Sequence, residues 1–129
     1  MNEPTFLPLD EVLQIHLRSL AEHGGKEGTR DPGLVESALA SAKNTFYYGH
    51  GDLFDVAASY AFHLAESQAF VDGNKRTAVA SAMVFLARNG VYAHPAKWEL
   101  YLAMIGVAEK RTTKTDLAAI FRRTAERPD

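Results

Sequence analysis

The chain has 129 residues, is 47% apolar, and carries a net charge of −2 with histidine neutral, which fits one globular domain with its own core across residues 1–129. The acidic balance opposes direct nucleic-acid binding, which draws on an excess of Lys and Arg. No apolar run is long enough to cross a membrane, and the absence of cysteine removes disulfides and thiolate chemistry.

The start, Met1-Asn2-Glu3-Pro4, lacks the basic and apolar regions of a signal peptide, so a cytoplasmic location is expected. Apolar spacing then predicts an all-α chain of six helices. The first runs from Pro8 to about His23 on a face of Leu13, Leu17, Leu20 and Ala21, and Gly24-Gly25 stops it. Gly24 to Arg30 reads as a surface connection, with Arg30 and Glu36 open as ion-pair partners or ligands. Asp31-Pro32 is a cap followed by a first-turn proline, and it opens a second helix that buries Val35, Ala38, Leu39 and Ala42 and ends near Lys43. Asn44 to Gly51 is aromatic and β-prone but too short for a stable sheet. Its His50 reads as a solvated loop histidine.

Asp52 caps a third helix to about Ser67, in which His63 reads as a packed or surface residue. The fourth helix, about Asn74 to Arg88, is apolar nearly all round, the pattern of a buried central helix, and Asn89-Gly90 ends it. Pro95 to about Lys110 is a fifth helix with Trp98, Leu102, Ile105 and Val107 as core candidates. Thr113 caps a sixth, with Asp116 at its third position, and the charged end from Arg122 to Asp129 is expected to fray.

The chemistry concentrates between the third and fourth helices, in Gln68-Ala69-Phe70-Val71-Asp72-Gly73-Asn74-Lys75-Arg76-Thr77-Ala78. Asp72-Gly73-Asn74 is turn chemistry feeding directly into a helix N-terminus. That end carries unpaired N–H groups and a positive dipole, which suit an anion. Lys75 and Arg76 oppose the dipole, at about 0.3–1 kcal/mol each when exposed, so an anion nearby is the natural compensation. Asp72 beside a bound phosphate could hold Mg²⁺, which takes a carboxylate plus phosphate oxygens. The plain alternative is a helix–helix turn with a solvated basic first turn.

Phe70 to Ala78 resembles the core motif of the Fic/Doc family in its Doc form, His-x-Phe-x-Asp/Asn-Gly/Ala-Asn-Lys-Arg. Gly28 to Ala40 resembles that family's first block, and Phe85-Leu86-Ala87-Arg88-Asn89-Gly90 the end of its central helix. The resemblance implies a compact six-helix domain with a short β-like flap between the second and third helices, in which Phe46, Tyr47, Tyr48 and Gly49 dock the target by strand-like pairing. It implies ATP and Mg²⁺ as cofactors. Asp72 would hold the metal, Gly73 and Asn74 would donate to phosphate oxygens, Lys75 and Arg76 would neutralise the transferred group, and Phe70 would anchor the loop. Most Fic proteins have Gly where this chain has Lys75 and transfer AMP. Doc proteins have Lys there, so phosphoryl transfer is the preferred expectation and AMP transfer the alternative.

One position departs from that pattern. Gln68 stands where the family motif has the histidine that serves as general base. An amide can orient a hydroxyl but cannot take its proton, and a positioned base contributes about 10²–10⁴-fold. The resemblance therefore implies a Doc-type toxin acting on elongation factor Tu, impaired at Gln68, or a catalytically dead module that binds nucleotide or antitoxin. It further implies a Phd-type antitoxin seated in an apolar groove, since no inhibitory Ser/Thr-x-x-x-Glu-Gly/Asn helix occurs in the chain. A helical DNA-binding domain is the weakest reading.

Overall fold

The structure is a computed structural model that describes residues 3–126. It is all-α, with six helices: α1 (Leu9–His23), α2 (Pro32–Tyr47), α3 (Leu53–Ser67), α4 (Asn74–Arg88), α5 (Lys97–Ala108) and α6 (Lys114–Thr124). Among the described residues, β pairing is confined to two isolated bridges, Thr29 with Phe70 and Ala93 with Ala125.

The helix starts follow local chemistry. The Asp31 carboxylate accepts from the Gly33 N–H at 3.0 Å. Asp52 with Asp55 and Thr113 with Asp116 form reciprocal boxes, each side chain accepting from the other residue's backbone N–H. Such caps are worth about 1 kcal/mol apiece.

The central helix is α3 rather than α4. It packs against α2, α4, α5 and α6, and all of Val56, Ala57, Ala58, Ser59, Tyr60, Ala61, Leu64 and Ala65 are buried. On α4 the buried side chains are Thr77, Ala78, Ser81, Ala82, Phe85 and Leu86, while Val79, Ala80, Met83 and Val84 are only partly covered. A helix that is apolar all round does not announce which side stays open. The small residues of α3 let neighbours approach it on every side.

Three further expectations are corrected. First, α2 does not stop near Lys43, and no β-like flap forms after it. The helix runs on through Phe46 and Tyr47, and Tyr48 and Gly49 then turn, both donating to the Asn44 carbonyl. The Phe46 ring finds Phe6 at 6.1 Å, so packing at the helical period outweighs β propensity here. Second, Trp98 and Leu102 are 68% and 57% exposed. The covered face of α5 is Ala103, Met104, Gly106 and Val107, a choice its nearly uniform apolarity leaves open. Third, α6 extends to Thr124, and Arg122 pairs with Asp52 at 2.9 Å instead of fraying. Residues 127–129 of the expected frayed end lie outside the described residues.

Candidate active site

The α3–α4 turn is held by its own polar atoms. Gln68 caps α3 in the left-handed conformation, φ 50°, and Ala69 and Phe70 then drop into the core. Asn74 closes the loop: its Oδ1 accepts from the Phe70 N–H and its Nδ2 donates to the Phe70 carbonyl, both at 3.0 Å. The Asn74 side chain is thus engaged with the loop backbone. Gly73, at φ 78°, is the N-cap of α4 and puts no capping side chain over it. Among the six helices, α4 alone has neither a capping side chain nor an acid in its first turn. Its first N–H groups are therefore left for solvent or an anion.

Asp72 is not the α4 cap. Its Oδ1 accepts from the Gly73 N–H at 2.9 Å, and its Oδ2 accepts from the Lys26 N–H at 3.2 Å. Those two donors, Lys26 first, and the nearby charge of Arg76 hold the Asp72 carboxyl below its usual value, so it is ionised at neutral pH. Among the described residues no group of three or more His, Asp or Glu could hold a metal alone. A lone carboxylate with spare lone pairs does suit Mg²⁺ delivered on a nucleotide, where phosphate oxygens and water complete the shell.

The glycine-rich loop is the exposed connection expected, and it also pairs with the motif turn. Thr29 bridges Phe70, the Arg30 and Asp31 N–H groups donate to the Ala69 carbonyl at 2.7 and 3.1 Å, and the Val71 N–H donates to the Gly28 carbonyl at 3.0 Å. Arg76 reaches back, donating to the Gly24 carbonyl at 3.0 Å. From α1, the buried His16 donates through Nε2 to the Asp72 carbonyl at 2.8 Å, and its ring stacks on Phe70 at 3.8 Å. His16 is not picked out by the sequence, and the loop reads there as a connection without its bonds to the turn. The signals present were a histidine on the apolar stripe between Leu13 and Leu20, and three glycines within five residues of one another.

Two cavities meet at this turn. One, of about 500 Å³, is lined by Glu66, Gln68, Asp72, Gly73, Asn74, Lys75 and Arg76 from α3, the turn and α4, and by Met104, Val107, Ala108 and Lys110 from α5 and its end. The structure thus places Gln68, Asp72, Gly73, Asn74, Lys75 and Arg76 of the expected set on one cavity, with Phe70 buried beneath the turn. The second, of about 420 Å³, is an apolar groove between α1, α4 and α5 with Ile15, Val79, Ala80, Val84, Leu100 and Met104 in its lining. Lys75 and Arg76 border both. Phe46, Tyr47, Tyr48 and Gly49 line neither, nor do His50, Arg30 and Glu36. His63 lies within reach of Lys114 on α6, 3.2 Å away, and takes no part in the turn.

The chain belongs to the Fic/DOC family, whose pattern it matches over residues 6–86. It is similar to "Protein kinase doc" of Escherichia phage P1, 34% identical over 115 residues that cover 88% of this chain and 90% of that protein. It is also similar to "Toxin Doc" of Mycolicibacterium smegmatis, 46% identical over 70 residues, 53% of this chain and 54% of that one.

Proposed function

We propose that this chain is a Doc-type toxin scaffold built to move the γ-phosphoryl group of ATP onto a hydroxyl of a translation protein, with elongation factor Tu the expected target. The observation that carries this reading is the uncapped N-terminus of α4, flanked by Asp72, Lys75 and Arg76 on one cavity. The first-turn N–H groups and the two cations would bind the phosphate chain and stabilise charge developing on the transferred group. Mg²⁺, held by Asp72, would supply charge neutralisation across the phosphates. The acceptor oxygen bonds to the γ-phosphorus, the bridging P–O bond breaks, and ADP leaves. The hydroxyl proton must pass to a base, and Gln68 cannot take it. We assign this chain low or no transfer for that reason.

The apolar groove between α1, α4 and α5 fits the antitoxin. Its floor is aliphatic, and its rim carries Arg18, Lys75, Arg76 and Lys97 against Glu22. That pattern suits an amphipathic helix with acidic flanks, the form expected of a Phd-type tail. A second reading, a nucleotide- and antitoxin-binding module without catalysis, is favoured by Gln68 itself.

The deciding experiment compares the chain with its Gln68→His variant for transfer of label from γ-labelled ATP to elongation factor Tu. Transfer by the His form alone supports the kinase with a silenced base. Equal transfer by both would show that the base is dispensable or lies elsewhere. Transfer from α-labelled ATP would instead establish AMP transfer, and no transfer with ATP binding intact would establish the binding module.

A further inference from the structure

We infer that Lys110 is a third cation of the nucleotide cavity, contacting the polyphosphate of the bound nucleotide together with Lys75 and Arg76. The inference rests on the ATP reading above and deepens it. Lys110 lies just past α5, not in the motif, and lines the same cavity as Gln68, Asp72, Lys75 and Arg76. It is exposed and, among the described residues, has no hydrogen-bond or ion-pair partner for its ammonium group.

Its backbone is the second observation. Lys110 has φ 63°, the left-handed region where a side chain is disfavoured. Of the three non-glycine residues with positive φ among the described residues, two, Gln68 and Lys110, line this one cavity. Strained positions of this kind gather where a side chain must be aimed. At the end of α4 the same conformation falls to Gly90, which carries nothing to aim.

The turn is built to hold Lys110 there. The Arg111 and Thr112 N–H groups both donate to the Gly106 carbonyl, at 2.7 and 3.1 Å, and the Lys110 N–H donates to the Val107 carbonyl at 3.2 Å. Thr112 sits so close to Gly106 that a Cβ there would lie 2.0 Å from its Oγ1. Gly106 is therefore the residue that lets the turn fold back on α5. The same lining includes the apolar Met104, Val107 and Ala108, and one carboxylate besides Asp72, that of Glu66. Three cations on one cavity, Lys75, Arg76 and Lys110, against the carboxylates Asp72 and Glu66, suit a ligand with a polyanionic tail.

The test uses the full chain and equilibrium binding of Mg-ATP, AMP and adenosine to the parent, Lys110→Gly and Lys110→Arg. Glycine suits the left-handed turn, so Lys110→Gly removes the ammonium group and leaves the fold. The expected result is about three- to tenfold weaker ATP binding by Lys110→Gly, the range for one partly exposed charge-assisted contact. AMP should weaken less, adenosine should be unchanged, and Lys110→Arg should bind ATP as the parent does. Equal ATP binding by Lys110→Gly and parent would overturn the inference and leave the ATP reading standing. Equal loss for adenosine would assign Lys110 a packing role, also overturning it. A folded parent that binds no ATP would defeat the ATP reading itself, and this inference with it.

Discussion

His16 and Asp72, 56 residues apart in sequence, are joined by a hydrogen bond of 2.8 Å from the imidazole Nε2–H to the backbone carbonyl. The same ring stacks on Phe70 at 3.8 Å, so one buried side chain of α1 fixes both the anchor and the acid of the motif turn. His16→Phe keeps the stack and leaves the Asp72 carbonyl without its donor. The expected cost is about 1–3 kcal/mol in denaturant unfolding. Binding of Mg-ATP should also weaken, because the Asp72 carboxylate loses its fixed direction, and His16→Gln should recover part of both. If both variants bind ATP as the parent does, His16 serves only packing.

Gly25 is the second point of contact with the acid. It has φ 125°, and a Cβ there would lie 2.9 Å from Asp72 Oδ2 and 2.8 Å from Leu20 Cδ2. Leu20 can rotate away, but the carboxylate can move only by leaving the Lys26 N–H. That donor is the first cause of the lowered Asp72 pKa. Gly25→Ala should therefore raise the Asp72 pKa toward 3.8, the ordinary value, in a carboxyl NMR titration. The sign follows from linkage: the depressed carboxyl stabilises the parent above its unfolded value, and that contribution is lost as pH falls through the folded value. In Gly25→Ala this acid-side dependence should shrink. Gly24→Ala is the control, since its Cβ meets nothing within 4 Å and only backbone strain at φ 80° is added.

Much of this was legible from residue types alone. The helix starts were, because Asp31, Asp52 and Thr113 bond their own neighbouring N–H groups. The motif turn was, because Asp72-Gly73-Asn74 ahead of Lys75-Arg76 states a turn and a basic helix start. The partners of the turn were not. The Gly24–Arg30 loop reaches it through backbone atoms, which leave no mark in side-chain patterning, and His16 reaches it with a side chain whose distant partners, the Asp72 carbonyl and the Phe70 ring, its own stretch of sequence does not name. The exposed face of α5 was hidden for the opposite reason: Trp98, Tyr101 and Leu102 look like core, and only the packing of Met104 and Val107 against the other helices decides between faces. The β-like form expected after α2 is absent because helix-terminal hydrogen bonds to Asn44 and Thr45 claim the backbone donors of Tyr48, Gly49 and Gly51.

His63 gives the fold a pH dependence of its own. Burial and the charge of Lys114 hold its pKa below the ordinary 6.5, with Glu66 opposing them. In the unfolded chain the group returns to that ordinary value. The unfolded state therefore binds a proton that the folded state refuses, and stability falls as pH drops through 6.5 toward the folded value. Above 6.5 the contribution is complete. Thermal unfolding between pH 5 and 8, about the range in which histidine titrates, should show this slope in the parent. The slope should be shallower in Lys114→Ala and shallowest in His63→Gln. A slope unchanged by His63→Gln would place the titration elsewhere.

The groove and the cavity at the motif turn share Lys75, Arg76 and Met104, but Val84 lines the groove alone. A carboxylate at that position would face an apolar surface and the acidic flank of the expected antitoxin helix. Val84→Glu should therefore weaken capture of a Phd-type antitoxin tail by tenfold or more, about 1.4 kcal/mol, while Mg-ATP binding stays at the parent value. Val84 is partly buried against the core, so a melting curve must accompany the measurement. Lys97→Glu, on the rim, is the second probe. It should slow association and remove part of its salt dependence without touching the core. If both variants capture the tail as tightly as the parent, the antitoxin sits elsewhere. If ATP binding falls in step with antitoxin binding, the two cavities act as one site through Lys75 and Arg76.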